Sequence, residues 1–164
     1  MMLGRIWAVA ASAAVMIVTL SPVQAERLRV PKIDHVATVK ECGACHMVFA
    51  PQMLPQRSWR AILSSLDNHF GENAVLGESV RADIAAYLVA NAADGAVGKT
   101  YSWLLRGVAL DTAPIRITAM PWWLRAHGEA NVANLKNTPI RFAGNCIGCH
   151  VGADKTMVFN EPGD

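Results

Sequence analysis

The chain has 164 residues, with 15 Lys and Arg against 13 Asp and Glu and a formal net charge of +2. This length is sufficient for one domain or for two small lobes. The basic residues form no cluster along the sequence, so nucleic acid and anionic lipid are not indicated as partners.

Residues 1–25 have the pattern of a secretory signal peptide. Arg5 supplies the positive charge, Ile6 to Leu20 is the apolar region, and Val23-Gln24-Ala25 fits the small-residue cleavage rule. The alternative is an uncleaved membrane anchor, but the apolar run is short for a span of about 20 residues. We therefore expect cleavage before Glu26, export to the periplasm, and no stable membrane insertion of the mature chain.

The first distinctive motif follows a segment without hydrophobic periodicity. Residues 26–40 are interrupted by Pro31 and predict an extended arm. Cys42, Cys45 and His46 then form the sequence C-x-x-C-H, which is the attachment signature of a c-type haem. In this signature the two thiols bond to the haem vinyl groups, and the histidine is the proximal ligand of the iron.

Two prolines, Pro51 and Pro55, exclude a long helix immediately after this motif. A helix is predicted next, with Ser58 as its N-cap. Its apolar residues recur at helical spacing: Trp59, Ile62, Leu63 and Leu66. The same spacing places His69 on the apolar face, and Gly71 is expected to end the helix.

A second helix is predicted from about Glu78 to Asn91. Its apolar stripe consists of Val80, Ile84, Tyr87 and Leu88. The segment from Ala92 to Thr100 contains two glycines and predicts a turn or linker. We place a lobe boundary there, which divides the mature chain into residues 26–95 and 96–164. Periodicity does not decide the structure of the apolar stretch from Tyr101 to Leu110.

A short helix is predicted to begin at Pro121, because proline is favoured in the first helical turn. Trp123 and Leu124 precede His127 by four and three positions, so the three side chains share one face. Gly128 is expected to end the helix. His127 is therefore the counterpart of His69, since each is predicted at the end of an aromatic-bearing helix.

The last part of the chain carries the second motif. Val132 to Asn145 is a polar connection that contains Pro139. Cys146, Cys149 and His150 then repeat the C-x-x-C-H pattern. The tail from Val151 to Asp164 is expected to be largely irregular and to pack beside this motif.

The two motifs use all four cysteines of the chain. Zinc is one alternative, but zinc ribbons place their cysteine pairs only about 15–20 residues apart. Two disulfides are another, but they give no reason for a histidine after each pair. A thioredoxin-like redox site would need a βαβ context, and none is visible. The sequence thus predicts two covalent haem c groups.

Each iron needs a second axial ligand, and the sequence offers two kinds. His69 and His127 lie in apolar helical contexts, and we assign His69 to the first haem and His127 to the second by proximity. His35 is the reserve among the five histidines. Methionine is the other common ligand, and the candidates are Met53, Met120 and Met157.

The sequence resembles the small dihaem cytochrome c family of bacterial periplasmic proteins, often called DHC. The matching segments are CGACH at 42–46, LPQRSW at 54–59, HFG at 69–71, PIRIT at 114–118, WWLRAH at 122–127 and NCIGCH at 145–150. The resemblance implies a mainly α fold of two small cytochrome c-like haem lobes, with extended loops and little or no sheet. It also implies bis-histidine ligation through His46, His69, His127 and His150.

The function expected from these residues is electron transfer rather than catalysis, because irons with both axial positions filled do not readily bind a substrate. The family resemblance implies transient partners such as a small cytochrome c and a membrane b-type cytochrome. The alternatives are a dihaem peroxidase or reductase and a haem-based gas binder. Both need one iron with an open axial position.

Overall fold

The computed structural model describes residues 28–128, 135 and 142–160. The predicted signal peptide and most of the predicted connection from 132 to 145 lie outside these residues. The described part contains five α-helices and one two-stranded sheet: β1 (Leu28–Arg29), α1 (Val36–Cys42), α2 (Gln56–Leu63), α3 (Glu78–Asn91), α4 (Pro121–His127), α5 (Ala153–Thr156) and β2 (Val158–Phe159). The expected fold class, mainly α with little sheet, is confirmed.

The predicted extended arm over residues 26–40 is wrong in its second half, where α1 forms. His35 caps this helix, because its Nδ1 accepts a hydrogen bond from the Thr38 backbone N–H at 3.4 Å and lies 2.9 Å from the Thr38 hydroxyl. The His35 ring also stacks on Tyr87 of α3, with ring centres 4.5 Å apart. A histidine cap of this kind has no strong sequence signal, since Ser, Thr, Asp and Asn dominate that position.

Helix α2 begins three residues earlier than predicted. Pro55 occupies its N-cap position, and Ser58 is buried inside the helix instead of capping it. As predicted, Pro51 and Pro55 prevent a long helix in this region, and only one 3₁₀ turn forms, at Pro51–Met53. The helix ends at Leu63, and a separate 3₁₀ turn spans Leu66–Asn68. His69 therefore follows the helix and does not lie on its apolar face, which corrects the prediction.

Helix α3 has the predicted bounds, Glu78–Asn91. Its buried residues, Ile84 and Leu88, pack against α2 in the larger apolar cluster. The fully or nearly buried members of this cluster are Leu54, Trp59, Leu63, Ile84, Leu88, Ala92, Met120 and Trp123. Burial of these side chains is the main force that holds α2, α3 and α4 together.

A turn follows α3, as predicted, but it is shorter than the predicted linker. A 3₁₀ helix at Gly98–Leu105 replaces its last residues and includes the first half of the apolar stretch left undecided by periodicity. A further 3₁₀ turn at Ile117–Ala119 leads into α4. Helix α4 matches the prediction at both ends, with Pro121 in the first helical position and Gly128, at φ +71°, directly after His127.

The tail is more regular than predicted, because it contains α5 and β2. Strand β2 pairs antiparallel with β1, with Leu28 opposite Phe159 and Arg29 opposite Val158. The second apolar cluster lies next to this pair and consists of Val30, Ile33, Ala50, Met53 and Met157. The tail strand lacks an alternating pattern of its own, so its partner cannot be read from local sequence. The lobe boundary at residue 95 stays a prediction.

Candidate functional site: two facing histidine pairs

The first C-x-x-C-H motif begins at the last residue of α1. The backbone N–H of Gly43 bonds to the Val39 carbonyl at 3.1 Å, which closes the helix within the motif. His46 then donates from Nδ1 to the Met47 carbonyl at 2.6 Å. A carbonyl can only accept, so Nδ1 carries the proton and Nε2 is the ring nitrogen available to a metal.

The side chains of His69 and His46 face each other. The two ring centres are 6.3 Å apart, and the ring planes differ by 22°. A tight turn holds His69 in place, because His69 and Glu72 exchange backbone hydrogen bonds of 2.7 and 3.2 Å. Within the turn Phe70 has φ +57° and Gly71 has φ +104°, so both residues adopt the left-handed region. Burial, and then the neighbouring His46, lower the pKa of His69 and favour its neutral, metal-binding form.

The second motif forms a 3₁₀ turn at Cys146–Gly148. The turn closes on His150, whose backbone N–H bonds to the Cys146 carbonyl at 2.8 Å. The His150 ring donates from Nδ1 to the Asn160 carbonyl at 2.5 Å. As at His46, this bond leaves Nε2 as the nitrogen that can coordinate a metal.

His127 faces His150 from the last residue of α4. The two ring centres are 6.0 Å apart, and the planes are nearly perpendicular at 89°. His127 is stacked on Trp123, one turn earlier in the helix, at 4.1 Å and 9°. Its Nδ1 lies 3.0 Å from the Trp123 carbonyl and donates to it. One residue therefore supplies both the stacking surface and the hydrogen-bond acceptor for this imidazole.

Neither cysteine pair forms a disulfide. Burial, and then Glu41, raise the pKa of the Cys42 thiol. Burial also raises the pKa of the Cys146 thiol, with a smaller contribution from Cys149. At both cysteines the shift disfavours the thiolate, as expected of thiols in apolar surroundings.

The distances between facing rings fit one metal between each pair. An imidazole nitrogen lies about 2.0–2.1 Å from a coordinated metal and about 1.1 Å from its own ring centre, so two imidazoles on opposite sides of one metal have centres about 6.3 Å apart. Among the described residues, no group of three or more His, Cys, Asp or Glu side chains could hold a metal ion. Each pair therefore fits a metal whose remaining ligands come from elsewhere, as in a haem, where the porphyrin supplies four nitrogens.

The other candidate ligands lie in structural positions. His35 caps α1 and places Nε2 3.4 Å from a carboxylate oxygen of Asp83. Met53, Met120 and Met157 are buried members of the two apolar clusters.

The structure also reveals residues around the pairs that the sequence interpretation missed. Trp123 was predicted to share a helix face with His127, but its stacking on the His127 ring was not predicted. The carbonyls of Met47 and Asn160 have no sequence signal, since every residue carries a carbonyl. Arg116 also had no sequence signal. Its guanidinium lies 4.1 Å from the ring centre of Phe70, the residue that follows His69.

This small α-helical fold, with two C-x-x-C-H motifs and a second histidine facing each, defines a c-type cytochrome. The family model of dihaem cytochrome c matches residues 38–158. The chain belongs to the dihaem cytochrome c family, and its cofactors are two haem c groups with their irons.

Solved structures support the same family. A diheme cytochrome c from Rhodobacter sphaeroides is 41% identical, with a TM-score of 0.66, and the match covers 75% of this chain and 95% of that one. A diheme cytochrome type c from Shewanella baltica OS155 is 32% identical, with a TM-score of 0.58, over 79% of this chain and 94% of that one. No curated protein matches the chain. None of the helices among the described residues is long and apolar enough to cross a membrane.

Proposed function

We propose that this cytochrome is an electron-transfer protein whose two haems are both bis-histidine ligated. Cys42 and Cys45 hold the first haem, and Cys146 and Cys149 hold the second. The observation that carries the proposal is the pair of ring separations, 6.3 Å for His46 and His69 and 6.0 Å for His127 and His150. A bound haem supplies a one-electron iron couple, and histidine at both axial positions favours lower potentials than a histidine and methionine pair.

The chain's own residues contribute ligation and preorganisation. Hydrogen bonds from Nδ1 to backbone carbonyls fix the tautomer and direction of His46, His127 and His150. Such bonds also raise the basicity of the nitrogen that binds the metal. Ligands held in place before the reaction do not have to rearrange when the oxidation state changes, which suits rapid electron transfer. This preorganisation argues against an iron with an open axial position, as a peroxidase or gas binder requires.

The cellular setting is part of the same proposal. The basic, apolar and cleavage regions in residues 1–25 support export to the periplasm with removal of this segment before Glu26. The partners are redox proteins that bind transiently, such as a small cytochrome c and a membrane b-type cytochrome. Redox encounters of this kind use small interfaces. The mass of the secreted holoprotein tests the cleavage site directly.

Carbon monoxide provides the first test of the ligation. Added to the reduced holoprotein, it should leave the absorption spectrum unchanged if all four axial positions are filled. A clear spectral shift in the wild-type protein would refute the proposal and favour an enzyme or a gas binder.

Substitution of the facing histidines provides the second test. His69→Ala and His127→Ala should each convert one haem, and only one, to a high-spin form that binds carbon monoxide. His35→Ala is the matched control, because His35 faces no other histidine and should leave both haems low-spin. If either ligand variant retains two low-spin haems, that ligand assignment is wrong.

A further inference from the structure

The two histidine pairs differ in the relative orientation of their rings. The planes of His46 and His69 are close to parallel, at 22°, whereas those of His127 and His150 are nearly perpendicular, at 89°. If the two histidines of a pair bind one metal from opposite sides, both ring planes contain the axis through the metal and the two ligating nitrogens. The angle between the planes then describes the rotation of one ligand relative to the other about that axis.

The perpendicular arrangement has an identifiable structural cause. Rotation of the His127 ring would break its parallel stacking on Trp123, at 4.1 Å and 9°, and would also move Nδ1 away from the Trp123 carbonyl. Trp123 itself is only 5% exposed and packs in the larger apolar cluster, so it cannot turn with the ring. The opposing ring, His150, is held through Nδ1 by the Asn160 carbonyl and contacts Phe159 edge-on at 5.5 Å.

The first pair has different supports. His46 is fixed by the Met47 carbonyl and contacts Phe49 at 5.0 Å with a 31° tilt. His69 meets Phe70 edge-on at 4.8 Å rather than face to face.

We propose that Trp123 is a positioning residue that sets the plane of the second haem's distal ligand and so makes the two irons electronically inequivalent. This inference rests on the bis-histidine ligation proposed above. Two imidazoles with nearly parallel planes interact mainly with the same one of the two iron d orbitals of π symmetry. The two orbitals therefore differ in energy. Perpendicular planes act on both orbitals alike and leave them nearly equal in energy. Orientation of axial ligands by surrounding residues is a general means by which proteins tune a metal.

Electron paramagnetic resonance of the fully oxidised holoprotein tests the inference. Orbitals of nearly equal energy give a low-spin ferric signal with a very large maximum g value, whereas separated orbitals give an ordinary rhombic signal. We expect one signal of each kind in equal amounts. His127→Ala should remove the large-g signal, and His69→Ala should remove the rhombic one.

Trp123→Leu tests the positioning role, because it removes the stacking surface and keeps an apolar side chain. The large-g signal should shift towards the rhombic form, and the signal of the first haem should stay unchanged. Trp122→Leu is the matched control, since Trp122 lies on the same helix and is not the residue stacked on His127. Trp123→Phe, which retains a smaller aromatic surface, should give a smaller shift in the same direction.

The outcomes separate the two proposals. Two low-spin signals of the same kind in the wild-type protein would overturn the inference and leave the bis-histidine ligation standing. A high-spin signal in the wild-type protein would instead overturn the ligation. An unchanged large-g signal in Trp123→Leu would show that Trp123 does not orient the ligand. If the variants fail to retain two haems, the wild-type spectrum alone still decides whether the two irons differ.

Discussion

Ile84 provides a direct test of how much the packing of α2 against α3 contributes to stability. Its side chain is 0% exposed in the larger apolar cluster. Ile84→Ala deletes three carbon groups, which at about 0.8 kcal/mol each accounts for about 2.4 kcal/mol. Incomplete collapse of the resulting cavity adds to this, so we expect a loss of about 3.5 kcal/mol in the free energy of unfolding.

Guanidinium unfolding of the holoprotein, followed by far-UV circular dichroism, measures this loss. With an m-value of about 4 kcal/mol/M, the midpoint should fall by about 0.9 M. Ile84→Val should lose about 1 kcal/mol, because it removes a single carbon. Leu110→Ala is the exposed control, since Leu110 is 92% exposed, and it should change stability by less than about 0.5 kcal/mol. A loss for Ile84→Ala no larger than that of Leu110→Ala would refute the packing argument.

Three further predictions follow from single contacts. Burial raises the pKa of Tyr87, so the unfolded chain ionises first. Stability should fall as pH rises past about 10, and Tyr87→Phe should reduce that fall in unfolding experiments across the same range. Arg116→Gln removes the cation–π contact with Phe70 and should lower the free energy of unfolding by about 0.5–1 kcal/mol, whereas Arg116→Lys should lose less. Trp59→Phe removes the buried 2.8 Å bond to the Pro51 carbonyl and should cost about 1–3 kcal/mol by guanidinium unfolding; no measurable loss would contradict it.

Helices with strong local signals could be predicted from the sequence. The bounds of α3 agree because its apolar stripe repeats over several turns. The bounds of α4 agree because Pro121 and Gly128 have conformational preferences that act locally. In contrast, α1 depends on His35 as a cap and on stacking with Tyr87, which lies far along the chain. Long-range contacts of this kind leave no periodicity in the sequence.

In the candidate site, too, some features have a local sequence signal and others depend on the fold. The spacing of the two C-x-x-C-H motifs predicts the haem-binding cysteines and the proximal histidines without any knowledge of the fold. His69 was predicted on a helix but lies in a turn after it, because the helix ends at Leu63 and the chain reorganises into a 3₁₀ turn. The angle between two facing rings depends on packing and backbone acceptors, so no pattern of residue types could have indicated it.

The pairing of β1 with β2 connects the first described residues of the chain to the support of the His150 ring. The Asn160 carbonyl that accepts from His150 comes directly after β2, and β2 has its partner in Leu28 and Arg29. Residues near the start of the chain thus help to hold the His150 ring, and contacts of such long sequence separation form slowly. The support of the His150 ring therefore depends on contacts between the two ends of the described chain, whereas the turn that holds His69 is formed by local hydrogen bonds. A substitution that disrupts β1 should therefore weaken the support of the His150 ring.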